Sequence, residues 1–259
     1  MLHRAEGIVL RSFPFGEADL IVTYLTPDFG LLKLFAKSPR KIKSRFGSSL
    51  EPLTHSRISF WGKENANLPR LTQSDIIQPF QSLRDNLHCF LKVQEIIELT
   101  LSFLPERDVN KRAYHLLLKT LQAIENNLTS THRGVKRMAG FSDNDLSLTH
   151  YKIKFLKLVG YAPKFDACGR CGRNGYCFYI SQGSILCDAC AKGIDSPIRL
   201  SPAVVKLYTD LFIWDSSKIK RIKPSDKLLL ELLNVMNMHI KYILTKSLKS
   251  EAFIHSLSP

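Results

Sequence analysis

The stretch from Leu31 to Arg45, LLKLFAKSPRKIKSR, decides how this chain is read. Leu32, Leu34 and Ala36 alternate with Lys33, Phe35 and Lys37, so an extended strand puts an apolar row on one face and Lys-Phe-Lys on the other. That second face suits nucleic acid, because ammonium groups neutralise phosphates while a phenyl ring offers a base a flat surface. Ser38 and Pro39 break the strand, and Arg40, Lys41, Lys43 and Arg45 follow with no acidic residue between Phe29 and Leu50. Such a loop repels itself unless a polyanion is near. A solvated lysine face running into a flexible basic loop is the other reading of the same residues.

The whole chain leans the same way. Its 259 residues carry 37 Lys and Arg against 23 Asp and Glu, a formal charge of +14 that exceeds what solubility needs and points to a polyanionic partner. Nucleic acid and an anionic membrane surface both qualify. Charge interrupts the apolar segments well before a bilayer-spanning length, so no membrane partner is expected. Met1 to Glu6 meets charge and then an alternating strand, unlike an export signal, and a cytoplasmic protein working at the nucleoid is expected. In that compartment six cysteines are better explained as thiols and metal ligands than as disulfides.

Working outward from the opening stretch, Glu6 to Phe13, Leu20 to Thr26, Leu31 to Lys37, Leu53 to Trp61 and Leu71 to Ile77 are short β-rich segments. Pro14 with Gly16, Pro27 with Gly30, Gly47 with Pro52, and the span from Gly62 to Pro69 separate them. Five strands in under eighty residues suit a small closed sheet, with an OB-type Greek-key barrel the natural candidate and an SH3-like barrel the near alternative. The turn Gly16-Glu17-Ala18-Asp19 is read as a turn, since two carboxylates two apart need a third ligand or a base to do chemistry.

Gly7 to Pro52 resembles the amino-terminal domain of the bacterial recombination mediator RecO. The matching residues are Gly7-Ile8-Val9-Leu10, the Gly16-Glu17-Ala18-Asp19 turn, Thr26 with Gly30, Ala36-Lys37 with the basic loop after it, and Leu50-Glu51-Pro52. The family carries a glycine after the Ala-Lys pair where this chain has Ser38. The resemblance implies an OB-fold that binds single- and double-stranded DNA and contacts the partner RecR. Arg11, Lys33, Phe35, Lys37, Arg40, Lys41, Lys43 and Arg45 are the expected DNA-binding residues. Phe35 has a second reading, in which it packs against the helical domain.

From Ser82 the apolar period becomes helical, with Leu87, Leu91, Ile97, Leu101 and Leu104 in one run closed by Pro105. Tyr114 to Ile124 predicts a second helix ended by Asn126-Asn127, and Asp145 to Val159 a third with Gly160 as its stop. Pro202 to Trp214 and Ser225 to Thr245 complete an α+β chain. Residues 1–80 are expected to form the nucleic-acid-binding barrel and residues 81–259 a helical domain with a metal-binding insertion at about 165–195. Asn126 to Asn144 is polar and is read as a linker or an exposed turn. His239-Ile240 leading to Leu248-Lys249-Ser250 also fits the family, which has arginine where this chain has Glu251. The family's helical domain takes part in docking the tail of single-stranded-DNA-binding protein.

Cys168-Gly169-Arg170-Cys171 and Cys187-Asp188-Ala189-Cys190 form two C-x-x-C pairs with fifteen residues between them, the spacing of one structural Zn²⁺ site. Each turn points two thiolates at one ion, Gly169 and Gly172 allow backbone amides near the sulfurs, and four ligands leave no position for water. No His-x-Glu motif accompanies them, which argues against deaminase chemistry. Lys164, Arg170, Arg173 and Lys192 are close in sequence and able to offset the thiolates. Cys177 is read as a bystander on the connecting hairpin or an alternative ligand, and Cys89 as core. Tyr161-Ala162-Pro163 running into this segment resembles the zinc-bearing RecO members.

The chain contains no G-x-x-x-x-G-K-[ST] loop. The resemblance implies a non-enzymatic mediator, one that anneals complementary strands and, with RecR, promotes recombinase loading on DNA coated by single-stranded-DNA-binding protein. The competing readings are a zinc-ribbon nucleic-acid enzyme or RNA-binding OB-fold factor, and a scaffold that binds only proteins.

Overall fold

The computed structural model describes residues 1–40, 44–63, 66–131, 143–194, 196–219 and 221–250. Five strands, β1 (Leu2–Phe15), β2 (Asp19–Thr26), β3 (Gly30–Ala36), β4 (His55–Trp61) and β5 (Arg70–Gln78), close into a barrel in the order β1-β2-β3-β5-β4. This is the OB-type arrangement. The long β1 serves both sides, pairing with β4 through Leu2–Ile8 and with β2 through Ile8–Phe15. A shift of register between Val9 and Arg11 lets it bend from one partner to the other. The ring shuts where β3 and β5 run parallel at Phe35 with Arg70 and Ala36 with Leu71, which leaves β3 paired on both sides at this end.

Alternation fills the interior. Val22 and Tyr24 of β2, Leu32, Leu34 and Ala36 of β3, and Ile58 and Phe60 of β4 share one buried cluster with Ala5, Val9 and Leu71. Lys33 and Lys37 of the opposite phase are exposed, and Phe35 is half-buried. The strand β4 starts at His55 and not at Leu53, because Leu53 takes φ 72° in the turn while its N–H donates to the Val9 carbonyl at 2.7 Å. Gly30 is required where it stands. At φ 61° its missing Cβ would lie 2.2 Å from the Asp108 carbonyl oxygen.

The backbone groups into two compact units, residues 1–90 with 103–128 and residues 91–102 with 129–259. In the first, the helical run expected as one piece breaks into α1 (Gln81–Asp85) and α2 (Leu87–Phe103). Asn86 is the reason, since it is extended and its side-chain oxygen accepts the Cys89 N–H at 3.0 Å as a cap. The start of α1 is satisfied from elsewhere, by Glu125 accepting the amides of Ser82 (3.1 Å) and Leu83 (2.9 Å). That residue lies on α3 (Lys111–Thr131), which runs through Asn126-Asn127 without stopping. Arg84 ties α1 to the barrel through Glu51 at 2.7 Å, and Tyr114 of α3 reaches the buried His55 at 2.9 Å.

The second unit packs α4 (Asp143–Leu158), α5 (Pro202–Ile213), α6 (Ser216–Ile219) and α7 (Asp226–Leu244) with residues 91–102 of α2. Ser201 and Ser225 cap α5 and α7, accepting the amides of Val204 and Leu228. Gly160, at φ 82°, stops α4 while Tyr161 N–H donates to the Leu156 carbonyl at 2.8 Å. Lys152 is buried inside this unit and its ammonium donates to Glu95 and, at 3.0 Å, to Asn237. Removing either partner would strand a buried charge, so this contact fixes which helix faces meet more than it adds net stability. Leu248-Lys249-Ser250 has a structural role too. Glu98 accepts the amides of Lys249 and Ser250, both at 2.9 Å. Among the described residues no helix is long and apolar enough to cross a membrane.

The end of β3 explains the acidic turn. Ser38 adopts φ 56°, a conformation suited to glycine, and its N–H donates to Asp19 Oδ1 at 2.6 Å. Arg40 N–H donates to the Ala18 carbonyl at 3.2 Å. The Gly16-Glu17-Ala18-Asp19 turn is thus a clamp on the first residues of the basic loop, and serine is held in a strained backbone by it. Relief of that strain outweighs the larger unfolded-state entropy of glycine, so Ser38→Gly should raise stability by about 0.5 kcal/mol in urea unfolding, whereas the β-branched Ser38→Val should lower it by about 1–2 kcal/mol. A destabilised glycine variant would contradict the clamp.

Candidate nucleic-acid interface and metal centre

The basic loop is anchored at its far end as well. Phe46 is buried in the barrel core, its N–H donates to Ser44 Oγ at 3.1 Å, and the Arg45 guanidinium stands 5.0 Å from its ring centroid. Arg40 and Arg45 are exposed. Lys41 and Lys43 lie outside the described residues. The Asp19 contact fixes the chain at Ser38 and the core fixes it again at Phe46.

The outward face of β1, β2 and β3 carries the other expected residues in register. Arg11, Thr23 and Lys33 form one cross-strand row, and Phe13, Ile21 and Phe35 the next. Phe35 meets the Phe15 ring edge-on at 5.9 Å, and the Arg11 guanidinium lies 5.9 Å from the Phe13 centroid. Phe13 and Phe15 were not among the residues expected from sequence, yet Arg11, Phe13 and Phe15 share one phase of β1 and are exposed. Lys33 is exposed but engaged. Its ammonium donates to Glu106, which sits beside Leu31 through a parallel bridge. This pair is open to water and worth little, so a phosphate can displace the carboxylate.

The four expected metal ligands meet in the second unit. The sulfurs of Cys168, Cys171, Cys187 and Cys190 all lie within 4.8 Å of one another, with Cys171 and Cys187 at 3.6 Å. A tetrahedral zinc site with Zn–S bonds of about 2.3 Å needs sulfurs about 3.8 Å apart, so the donor set fits such an ion. Cys177 is outside the group and pairs with Leu186 in the hairpin of β6 (Cys177–Tyr179) and β7 (Ser184–Leu186), with β8 (Ile198–Arg199) on the other side of β6. Cys89 is buried on α2.

Backbone geometry aims these thiols, and the amides of the two glycines themselves bond carbonyls. Gly169 N–H donates to the Ile185 carbonyl and Gly172 N–H to the Cys168 carbonyl, at 2.8 and 2.9 Å. Gly169 is needed for space, because a Cβ there would lie 2.4 Å from Ser184 Oγ. The amides that reach Cys168 sulfur belong to Cys187, Cys171 and Arg170, and they hold its thiol down at about 6. Cys190 is pushed up to about 12 by its hydrogen bonds to the sulfurs of Cys171 and Cys187. Arg173 bonds Cys171 sulfur and is raised by it. A divalent cation relieves the repulsion that opposes ionising all four thiols. Arg170 braces the far knuckle by donating to the Cys190 carbonyl at 3.1 Å.

The insertion is seated on α5 and α7. Phe165 packs on Phe178 and Tyr208 with centroids 4.9 and 4.4 Å apart, and Tyr208 donates to the Pro163 carbonyl at 2.6 Å. His239 of α7 donates through Nε2 to the Tyr161 carbonyl at 2.9 Å, and burial holds its pKa below the usual histidine value. It is a buried neutral link in the packing.

Comparison with known proteins agrees across the chain. Residues 1–80 match the family model "Recombination protein O N terminal", and residues 92–252 match "Recombination protein O C terminal". The DNA repair protein RecO of Thermodesulfovibrio yellowstonii is 42% identical over 250 residues, 94% of each chain. That of Syntrophus aciditrophicus is 32% identical over 255 residues, 96% of this chain and 93% of the relative. That of Dehalococcoides mccartyi strain 195 is 29% identical over 260 residues, 98% and 96%. An OB-type barrel, a helical region with a four-cysteine cluster, and matches running through both place this chain in the RecO family of DNA repair and recombination proteins.

Proposed function

We propose that the protein is a non-enzymatic, DNA-binding recombination mediator of the cytoplasm and nucleoid. It anneals complementary single strands and, with RecR, promotes recombinase loading on DNA coated by single-stranded-DNA-binding protein. The observation that carries this reading is the basic loop clamped at Ser38 and Phe46 beside the outward rows of β1 to β3. Arg11, Lys33, Lys37, Arg40, Lys41, Lys43 and Arg45 contact phosphates, and Phe35 stacks on a base. Annealing needs two polyanions brought together with their bases free to pair. A cationic platform that screens repulsion without reading base edges meets that need and requires no nucleotide hydrolysis.

The four cysteines hold one Zn²⁺ as a structural brace. Cys168, Cys171, Cys187 and Cys190 would hold the ion as thiolates, and four such ligands would leave no coordination position for a reacting water. The partners RecR and single-stranded-DNA-binding protein come from family membership.

Two outcomes test this function. The chain should speed pairing of complementary oligonucleotides without ATP, and replacing Lys37 and Arg40 by alanine should slow that pairing about tenfold or more at low salt. An unchanged rate in the variant would move the DNA site elsewhere. Metal analysis of protein purified under reducing conditions should give about one zinc per chain, lost together with thermal stability when Cys187 and Cys190 become serine. Protein that is folded and free of metal would refute the brace.

A further inference from the structure

Following the strand register once round the barrel extends the aromatic row beyond β1 to β3. Phe13 stands opposite Ile21, Ile21 opposite Phe35, Phe35 opposite Arg70, and Arg70 opposite Trp61. All five are on the outward phase. Phe13 is 52% exposed and Trp61 61%, against 0% for Tyr24 and 3% for Phe60 inside the barrel, and neither belongs to the barrel core cluster.

The stagger of the barrel keeps this row on one side of the molecule. Trp61 pairs with Leu2, so a full circuit from Leu2 returns to β1 at Phe13, eleven residues further along the same strand. That displacement is about 36 Å along the strand, against about 24 Å for five inter-strand steps, and strands so tilted carry a cross-strand row more along the barrel axis than around it. From Phe13 to Trp61 the row covers about 19 Å of surface.

Its chemistry selects the occupant. Two exposed aromatic ends, a half-buried ring between them and a guanidinium in the row are flanked by Arg11 and Lys33 on the neighbouring row. Two carboxylates on this side are engaged, Asp19 by the Ser38 amide and Glu106 by Lys33. Such a face is complementary to a strand whose phosphates lie along the cations and whose bases are free to stack on rings. A duplex keeps its base faces buried against each other.

We propose that Phe13, Phe35, Arg70 and Trp61 form a stacking track for an extended single strand of nucleic acid, with Trp61 holding its far end. The track rests on the DNA-binding function proposed above and gives it a preference for single strands over duplex. Neither Trp61 nor Arg70 belongs to the charge-dense stretch around Leu31 to Arg45, so the track widens the interface to β4 and β5.

Trp61 and Trp214 are the two tryptophans of the chain, so a full-length Trp214→Phe variant leaves one indole to observe. Titration with a thymidine oligonucleotide should quench Trp61 emission to saturation, and added salt should reverse it. Phe13→Leu and Trp61→Leu, both at exposed positions, should weaken oligonucleotide binding about 5- to 100-fold while changing duplex binding less than twofold. Circular dichroism melting should match the parent and show that folding is intact. If the oligonucleotide binds but Trp61 emission does not move, the track is wrong and the DNA-binding function stands. If neither oligonucleotide nor duplex binds, the proposed function fails first. Emission that shifts with protein concentration alone would assign this face to a second copy of the chain and overturn the proposal.

Discussion

Crowding like charges on one side of a small barrel costs electrostatic energy, and the fold must hold them there. It does so with one short hydrogen bond and one buried ring. Asp19 accepts the Ser38 amide at 2.6 Å where β3 ends, and Phe46 anchors the chain again inside the barrel. The acidic turn therefore acts through geometry. Its carboxylate faces a backbone amide and leaves the neighbouring arginines free of it.

The barrel makes that geometry rigid. Because β1 pairs with both β4 and β2, and β3 meets β5 at Phe35 and Arg70, each strand fixes the phase of the next. A slip of one residue would exchange the buried row Leu32, Leu34 and Ala36 for Lys33 and Phe35. The second unit is built by different means. Its helices are registered by the buried Lys152 with Glu95 and Asn237, and its cysteine insertion is locked by Phe165, Tyr208 and His239. Small strands of two or three residues hold little energy by themselves, which is why a metal brace suits that insertion.

Much of this was legible in the residues. Period-two alternation is a direct image of an inside and an outside, so the strands and the buried face of β3 came out in the right phase. The cysteine spacing likewise anticipated four sulfurs in one place. What escaped has physical reasons. A carboxylate bonded to an amide nineteen residues away leaves no local pattern, so Asp19 read only as part of a turn. The break at Asn86 was hidden because Leu83 and Leu87 keep helical spacing across it. Trp61 and Arg70 join Phe35 only through the stagger of the closed sheet, which no single strand encodes. The Gly169 requirement is of the same kind, a close approach to Ser184 from a distant part of the hairpin.

Phosphate neutralisation by the basic loop and the outer face is the proposed driving force of binding, and the salt dependence of oligonucleotide affinity for the full chain measures it most directly. With the seven proposed cations engaged on a single strand, log K should fall against log salt with a slope of about −5. A slope near zero in a folded sample, or no binding even in dilute buffer, would contradict it.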